Sequence, residues 1–480
     1  MNYRLILNIL GKILLVIAAL LLPSLLLAIV LKEYFVIWAF LIPMLLMTIL
    51  GLVLIKIPIK HQHLFAKDGL VIVSLGWIFT SFFGALPFYI SRAIPSLLDA
   101  VFESVSGFTT TGASILTNVE NLPASILFWR SFTHWIGGMG VLVFLLAILP
   151  KTNLSMIHLL KAESPGPVVG KLVSKIRLSA RILYGIYVLL TLSLIFFLLI
   201  GKMPFFDSVV NAFSTAGTGG FAIKNSSIAY YNSAYIEVVI GFFMILFGVN
   251  FNIYYLLLLG SFKKVLKNPE LKWYLGIIFV STALIAFNIR GMFVSNQEAL
   301  RASFFQVSSI ITTTGFASTD FDLWPLLAKT VLFFLMIIGA SAGSTGGGFK
   351  VSRLLILFKS VKNSIRSMLN PRRINSISLG EEIVDSKTEK SVLTYFAAYM
   401  IIALLSIFIL SFGKTDIISN ITSVFSCLNN VGPGFGISGP SGNYSSFSGI
   451  SKLVLMINML VGRLEIYPMI AIFSIFNPRR

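Results

Sequence analysis

Ser106-Gly107-Phe108-Thr109-Thr110-Thr111-Gly112-Ala113 closes a short apolar stretch, 97–109, too short to cross a bilayer. The same grammar returns as Ser214-Thr215-Ala216-Gly217-Thr218-Gly219-Gly220-Phe221, as Ser309-Ile310-Ile311-Thr312-Thr313-Thr314-Gly315-Phe316, and as Cys427-Leu428-Asn429-Asn430-Val431-Gly432-Pro433. Short apolar stretches precede these too, near 204–217, 299–312 and 416–430. Aligned on Gly112, Gly220, Gly315 and Gly432, the loops recur at spacings of 108, 95 and 117 residues. One such turn would carry little, because membrane helices use glycine for close packing. Four in register, each reading span, short helix, glycine-bearing turn, span, are an internal repeat. Irregular backbone at membrane depth is tolerated only where protein buries it or water reaches it. The expectation is four re-entrant loops around one pore.

Composition agrees. Of 480 residues, 56% are hydrophobic and only 11% charged, with a mean hydropathy of +0.91. A soluble domain carries about 25% charged residues, so most of this surface faces lipid. Ten full-length apolar runs lie near 5–31, 34–57, 69–90, 126–149, 180–201, 234–260, 271–288, 326–358, 391–411 and 450–476. The first exceeds the apolar core of a signal peptide and reads as a retained span. The single cysteine, Cys427, allows no intrachain disulfide.

The net charge of +19 would suggest nucleic acid in a soluble protein. Here the basic residues cluster between spans instead, as they do when they set orientation. With both termini inside, 26 of the 37 Lys and Arg residues fall on the inner side, nine of them in 350–390. All four loops then enter from outside. The predicted fold is all-α and integral to the membrane: a hairpin at 1–60, then pore repeats at 61–155, 156–262, 263–375 and 376–480.

The eighth run is broken by Gly339-Ala340-Ser341-Ala342-Gly343-Ser344-Thr345-Gly346-Gly347-Gly348, too glycine-rich for a stable helix. It is not a nucleotide loop, because Phe349 follows Gly348 where that motif needs lysine. Arg463 falls mid-span, where a charge costs roughly 2.5–3.5 kcal/mol unless it faces the interior. Glu465, two residues on, lies about 200° round a helix, so a local pair is disfavoured and a partner on another helix stays open. His61-Gln62-His63 reads as a solvated loop, and Gly432-x-Gly434-x-Gly436 is not a dinucleotide fingerprint. No credible catalytic set is present, so an enzyme is not expected.

These residues resemble the membrane subunit of the Trk/Ktr/HKT potassium-transporter superfamily. The likeness rests on Thr-Thr-Thr-Gly at 109–112 and 312–315, Asn-Asn-Val-Gly-Pro-Gly at 429–434, Gly-Ser-Thr-Gly-Gly-Gly at 343–348 and Gly-Arg-Leu-Glu-Ile-Tyr-Pro at 462–468. The extra hairpin at 5–57 fits the bacterial Trk branch. The second loop departs from the pattern, with Gly217-Thr218-Gly219-Gly220 replacing the threonine triplet.

The resemblance implies a potassium filter at Thr109, Thr110, Thr111, Gly112, Gly217, Thr218, Gly219, Gly220, Thr312, Thr313, Thr314, Gly315, Asn429, Asn430, Val431 and Gly432. It implies an obstructing, movable loop at Gly343, Ser344, Thr345, Gly346, Gly347 and Gly348, with Arg463 as a barrier charge. It further implies potassium as substrate with no organic cofactor, a bacterial inner membrane, a homodimer, and a cytosolic nucleotide-binding regulatory subunit of TrkA type.

The chemistry suits a cation. Potassium sheds water only where oxygens replace it, and converging backbone carbonyls do so. Glycine lets the backbone twist to aim them, and threonine hydroxyls add further oxygens. Four helices pointing their C-terminal ends at one centre focus about two negative charges there. Asp99, Asp207, Glu298 and Asp416 lie near the outer helix ends, where they either gather cations or cap helices. The rival transport reading is a proton- or sodium-coupled symporter, which usually needs chains of intramembrane acids.

Overall fold

The architecture is that of a computed structural model, which describes residues 2–58, 66–140, 176–370, 377–380 and 382–472. His61-Gln62-His63, most of the basic stretch 151–181, Arg372, Arg373 and residues 473–480 lie outside the described residues. So do the expected boundaries between units near 60, 155 and 375.

The chain runs α1 (Tyr3–Leu20), α2 (Leu22–Val30), α3 (Tyr34–Ile55), α4 (Ala66–Ile90), α5 (Leu97–Phe108), α6 (Ala124–Met139), α7 (Ile176–Ile200), α8 (Phe205–Ala216), α9 (Ala234–Gly248) and α10 (Phe251–Leu258). It continues through α11 (Phe262–Lys267), α12 (Pro269–Ile289), α13 (Asn296–Ile311), α14 (Leu326–Ile338) and α15 (Val351–Leu369). A two-stranded antiparallel hairpin follows, β1 (Ile377–Leu379) and β2 (Glu382–Val384), with Ile377 opposite Val384. Then come α16 (Ser386–Leu410), α17 (Ile417–Leu428), α18 (Gly449–Leu464) and α19 (Ile466–Ala471). Among the described residues the regular structure is helical apart from that hairpin, which the sequence does not announce.

Among the described residues six helices are long and apolar enough to span: Tyr3–Val30, Tyr34–Ile55, Lys67–Ile90, Ala180–Ile200, Pro269–Met292 and Ser386–Leu410. The remaining expected runs are broken rather than continuous, and all four follow a glycine loop. The helix α6 ends at Gly140 (φ +81°), where 126–149 was read as one run, and 141–149 lie outside the described residues. At Val249 and Asn250 the chain bends 89° between α9 and α10, with Asn250 capping the new helix by accepting from the Asn252 N–H. The α14 helix stops at Gly339 (φ +71°), and α18 stops at Glu465 (φ +62°, ψ 161°). The backbone region at Glu465 is one that essentially only glycine adopts, and it costs about 1–3 kcal/mol.

The four short helices α5, α8, α13 and α17 stand where the sequence placed them. Their N-terminal ends are capped in ordinary ways. Ser96 accepts from the Asp99 N–H, Ser295 from Glu298 and Asp416 from Ser419, while proline opens α8.

The N-terminal hairpin packs α1 on α3 through Gly11 and Gly51. A Cβ on Gly11 would lie 2.8 Å from the Gly51 carbonyl oxygen, so only glycine permits that crossing. Asn8 donates to the Ile55 carbonyl at 2.8 Å. Between α2 and α3, Glu33 reaches across to the start of α6. Its carboxylate accepts from the backbone N–H groups of Ala124 (2.8 Å) and Ser125 (3.3 Å) and from the Ser125 hydroxyl. Pro123, at the cap position of α6, offers no side-chain oxygen. The cap of α6 therefore comes from the hairpin.

Candidate functional site

Each short helix ends in the same backbone figure. Two residues before the key glycine the chain turns left-handed: Thr110 (φ +55°), Thr218 (+53°), Thr313 (+59°) and Asn430 (+55°). The next N–H reaches back five residues to a serine carbonyl: Thr111 to Ser106 (2.9 Å), Gly219 to Ser214 (2.9 Å), Thr314 to Ser309 (2.8 Å) and Val431 to Ser426 (2.9 Å). This is the Schellman ending, where glycine is usual at the left-handed position. Threonine there is β-branched and costs roughly 1–2 kcal/mol. The glycines that follow also have positive φ: +78° at Gly112, +74° at Gly220, +84° at Gly315 and +99° at Gly432.

These glycines close a ring. A Cβ on Gly112 would lie 1.8 Å from the Gly219 carbonyl oxygen, one on Gly220 would lie 2.0 Å from that of Thr314, and one on Gly315 2.2 Å from that of Val431. A Cβ on Gly432 would lie 2.6 Å from the carbonyl oxygen of Thr111, which returns to the first loop. Each loop thus presses its glycine against the carbonyl just before the glycine of the next. The four glycines line one cavity of about 180 Å³ together with Arg130 and Tyr444.

Most of the threonine hydroxyls are engaged within and behind the loops, whereas that of Thr110 is buried with no hydrogen-bond partner among the described residues. Thr109 and Thr111 bond to each other at 2.8 Å, as do Thr312 and Thr314. Thr218 donates to the Gly217 carbonyl at 2.6 Å. Asn429 donates to Tyr399 Oη and to the Phe425 carbonyl, each at 2.8 Å. Asn430 donates to Thr111 Oγ1 and to the Met459 carbonyl, each at 2.9 Å.

On the opposite side of the ring from the cavity lies the glycine-rich loop between α14 and α15. The Gly347 N–H donates to Thr313 Oγ1 at 2.6 Å. A Cβ on Gly346 would meet the Thr312 carbonyl oxygen at 2.7 Å, and one on Gly347 that of Asn429 at 2.3 Å. The Gly343 carbonyl accepts from Phe251 (3.0 Å), Ser344 donates to Ser341 (2.7 Å), and Thr345 Oγ1 donates to Phe247 (3.1 Å). Gly348 (φ +82°) packs on Gly339. Lys350, which opens α15 with φ +83°, donates to the Gly346 carbonyl.

Arg463, near the end of α18, joins two of these parts. It donates to the Thr345 carbonyl at 2.8 Å, and to the carbonyls of Gly138 (2.7 Å) and Gly137 at the end of α6. Its guanidinium also sits 6.0 Å from the centre of the Trp77 ring. Glu465 pairs with Arg353 of α15 at 2.5 Å, so its ion pair is to another helix.

Sequence reading passed over several supporting residues. Nine positions before each glycine stands a buried polar side chain, and each braces the segment after the loop or its neighbours. Glu103 accepts from Ser114, Ile115 and Arg130, and Asn211 donates to Tyr231. Gln306 donates to the Thr319 carbonyl, and Ser423 to Ser438. Glu270, in the first turn of α12, accepts from the N–H groups of Ala342 (2.7 Å) and Ser352 (3.2 Å), gripping both ends of the glycine-rich loop. A strict alignment of the four loops exposes the first set. Glu270 left no local signal.

Three of the four acids near the N-terminal ends of the short helices pair with a cation or accept a hydrogen bond. Asp99 pairs with Lys452 at 2.7 Å, Asp207 accepts from Tyr231 at 2.8 Å, and Glu298 lies in the first turn of α13. At Asp416, outside the spans, hydrogen bonds from Ser419 hold the carboxyl below its ordinary value of 3.8.

The match to known proteins covers nearly the whole chain. The TrkH family, described as a cation transport protein, matches residues 36–480. The Trk system potassium uptake protein TrkH of Salmonella typhimurium is 36% identical over 417 residues, covering 85% of each chain. The protein of that name in Halomonas elongata is 31% identical over 482 residues, covering 99% of each. The crystal structure of the potassium transporter TrkH from Vibrio parahaemolyticus superposes with a TM-score of 0.88 at 30% identity, covering 100% of this chain and 99% of that one. The relatives are transport proteins rather than enzymes, and with them this chain belongs to the TrkH family of cation transport proteins.

Proposed function

We propose that the chain takes up potassium across the bacterial inner membrane, through a single pore whose filter is the ring of four loops. The observation that carries this reading is the ring itself: four glycines at equivalent positions, each against a neighbour's carbonyl, lining one cavity. Carbonyls from four loops replace the hydration shell of an ion, and the C-terminal ends of α5, α8, α13 and α17 add negative potential. The relatives named potassium uptake proteins supply the ion's identity.

In this reading the chain crosses ten times with both termini inside. The four interrupted runs each count as one crossing, and the units are the hairpin 1–60 and the repeats 61–155, 156–262, 263–375 and 376–480. The glycine-rich loop is the gate. It lies across the inner side of the ring, held by Thr313, Arg463 and Glu270. The basic helix α15 leads directly from it, and a cytosolic nucleotide-binding subunit of TrkA type docks on that face of a homodimer. Conduction is channel-like, since the carboxylates Glu103, Glu237 and Glu465 are paired with arginines rather than arranged as a relay.

Flux through purified protein in liposomes tests this. Potassium flux that exceeds sodium flux and ignores an imposed proton gradient is the expected result. Flux that saturates and follows the proton or sodium gradient would make the protein a coupled symporter.

A further inference from the structure

The second loop lacks the threonines of the first and third, and the structure shows what occupies their place. At the positions held by Thr109 and Thr111 in loop one and by Thr312 and Thr314 in loop three stand Gly217 and Gly219. In loops one and three the paired hydroxyls lie 2.8 Å apart and tie the turn to itself. In loop two that space belongs to His134 of α6, a fully buried residue. A Cβ on Gly219 would lie 2.4 Å from His134 Cγ and Nδ1, and one on Gly217 would lie 2.2 Å from the His134 carbonyl oxygen.

The ring is fixed on its other side. His134 Nδ1 is 2.7 Å from the Gly107 carbonyl oxygen at the end of α5. A carbonyl only accepts, so Nδ1 carries the proton. The imidazole also lies against Phe221, just after loop two, with ring centres 4.1 Å apart. It therefore bridges the helix of loop one to the backbone of loop two. The residue it packs against, Gly219, carries the carbonyl that meets Gly112 in the ring.

We propose that His134 is a specificity-determining positioning residue for the second loop, its imidazole doing for the Gly219 carbonyl what the threonine pairs do for Thr111 and Thr314. The proposal rests on the reading of the ring as the filter.

The structure also supplies a swap that tests it. Gly219 does not have a positive φ, so a threonine there avoids the left-handed penalty and its Cβ meets the imidazole first. Gly217 would collide with backbone and offers no such swap. Potassium and sodium flux are measured in liposomes for the parent, His134→Ala, His134→Gln, Gly219→Thr and the double variant His134→Ala/Gly219→Thr, with Gly315→Ser as the control for the filter reading.

The expected result is a potassium-to-sodium ratio about ten-fold lower in His134→Ala and in Gly219→Thr, one hydrogen bond's worth at most. His134→Gln, which keeps a donor of similar reach, stays near the parent. The double variant recovers to within about three-fold of the parent, because the two residues share one space and the threonine takes the place the imidazole leaves. If Gly219→Thr misfolds, the ratio of the double variant is compared with that of His134→Ala: a ratio restored towards the parent supports the proposal, and one no better than His134→Ala overturns it. A parent-like ratio in Gly219→Thr, or a double variant no better than the worse single, also overturns it. If Gly315→Ser leaves the ratio unchanged, the filter reading falls first. If it lowers the ratio while the His134 and Gly219 variants do not, the proposal alone falls.

Discussion

Replacing the four ring glycines by alanine should hurt selectivity unequally, in an order the geometry sets. All four have positive φ, so alanine costs roughly 1–2 kcal/mol at each. What differs is the contact. Real Cβ atoms essentially never approach another heavy atom closer than 3.0 Å, and the built contacts are 1.8, 2.0, 2.2 and 2.6 Å at Gly112, Gly220, Gly315 and Gly432. The facing carbonyl must therefore recede by about 1.2, 1.0, 0.8 and 0.4 Å respectively. Binding constellations tolerate about 0.5 Å of displacement before the productive geometry is lost. Gly432→Ala alone falls inside that limit. Gly112→Ala should lower the potassium-to-sodium flux ratio by at least about ten-fold, equivalent to about 1.4 kcal/mol, with Gly220→Ala and Gly315→Ala close behind and Gly432→Ala mildest. The assay is paired ion flux into liposomes of purified protein, normalised to monodisperse material. A Gly432→Ala variant as unselective as Gly112→Ala would refute the argument from contact.

Arg463→Ala should raise potassium flux per molecule several-fold, because it removes a positive charge and frees Thr345 from α6; unchanged or lower flux at equal incorporation defeats the barrier role. Deleting Ala342–Gly347 should leave flux high and insensitive to the soluble partner, and a deletion variant that still answers the partner means the loop is not the gate. Asp416→Ala should matter less as the medium is acidified. The carboxyl is depressed below 3.8 in the fold, so its contribution is complete above that pH and fades as pH falls through the lowered value. Thermal unfolding in detergent should show the gap between parent and Asp416→Ala at pH 7 narrowing towards pH 3, and a gap that is constant or widens contradicts the capping role.

The four short helices and their turns were legible because glycine and threonine in an apolar setting leave few alternatives. The breaks at Gly140 and Gly339 carried a glycine signal as well. Those at Val249–Asn250 and Glu465 did not. A run such as 234–260 stays apolar on average while a side-chain cap at Asn250 turns it through 89°. At Glu465 the turn violates the residue's own preference, and the surrounding structure, including the Arg353 pair, holds it. Whether a threonine hydroxyl faces its neighbour or the axis depends on turn geometry that composition does not encode. Partners joined only by the fold, such as Glu270 with Ala342 or His134 with Gly219, are 72 and 85 positions apart and leave no periodicity to find.

The loan of Glu33 to α6 constrains how this architecture can be shortened. A version of the chain without the hairpin would begin α6 behind Pro123, with the Ala124 and Ser125 N–H groups unclaimed. An uncapped helix start costs about 1 kcal/mol, and this one sits on the helix that carries Gly137 and Gly138 to Arg463. Serine, threonine or aspartate at position 123 would restore the cap in a truncated chain. The N-terminal hairpin and the start of α6 are thus coupled through one side chain, Glu33, and a change to either is felt by the other.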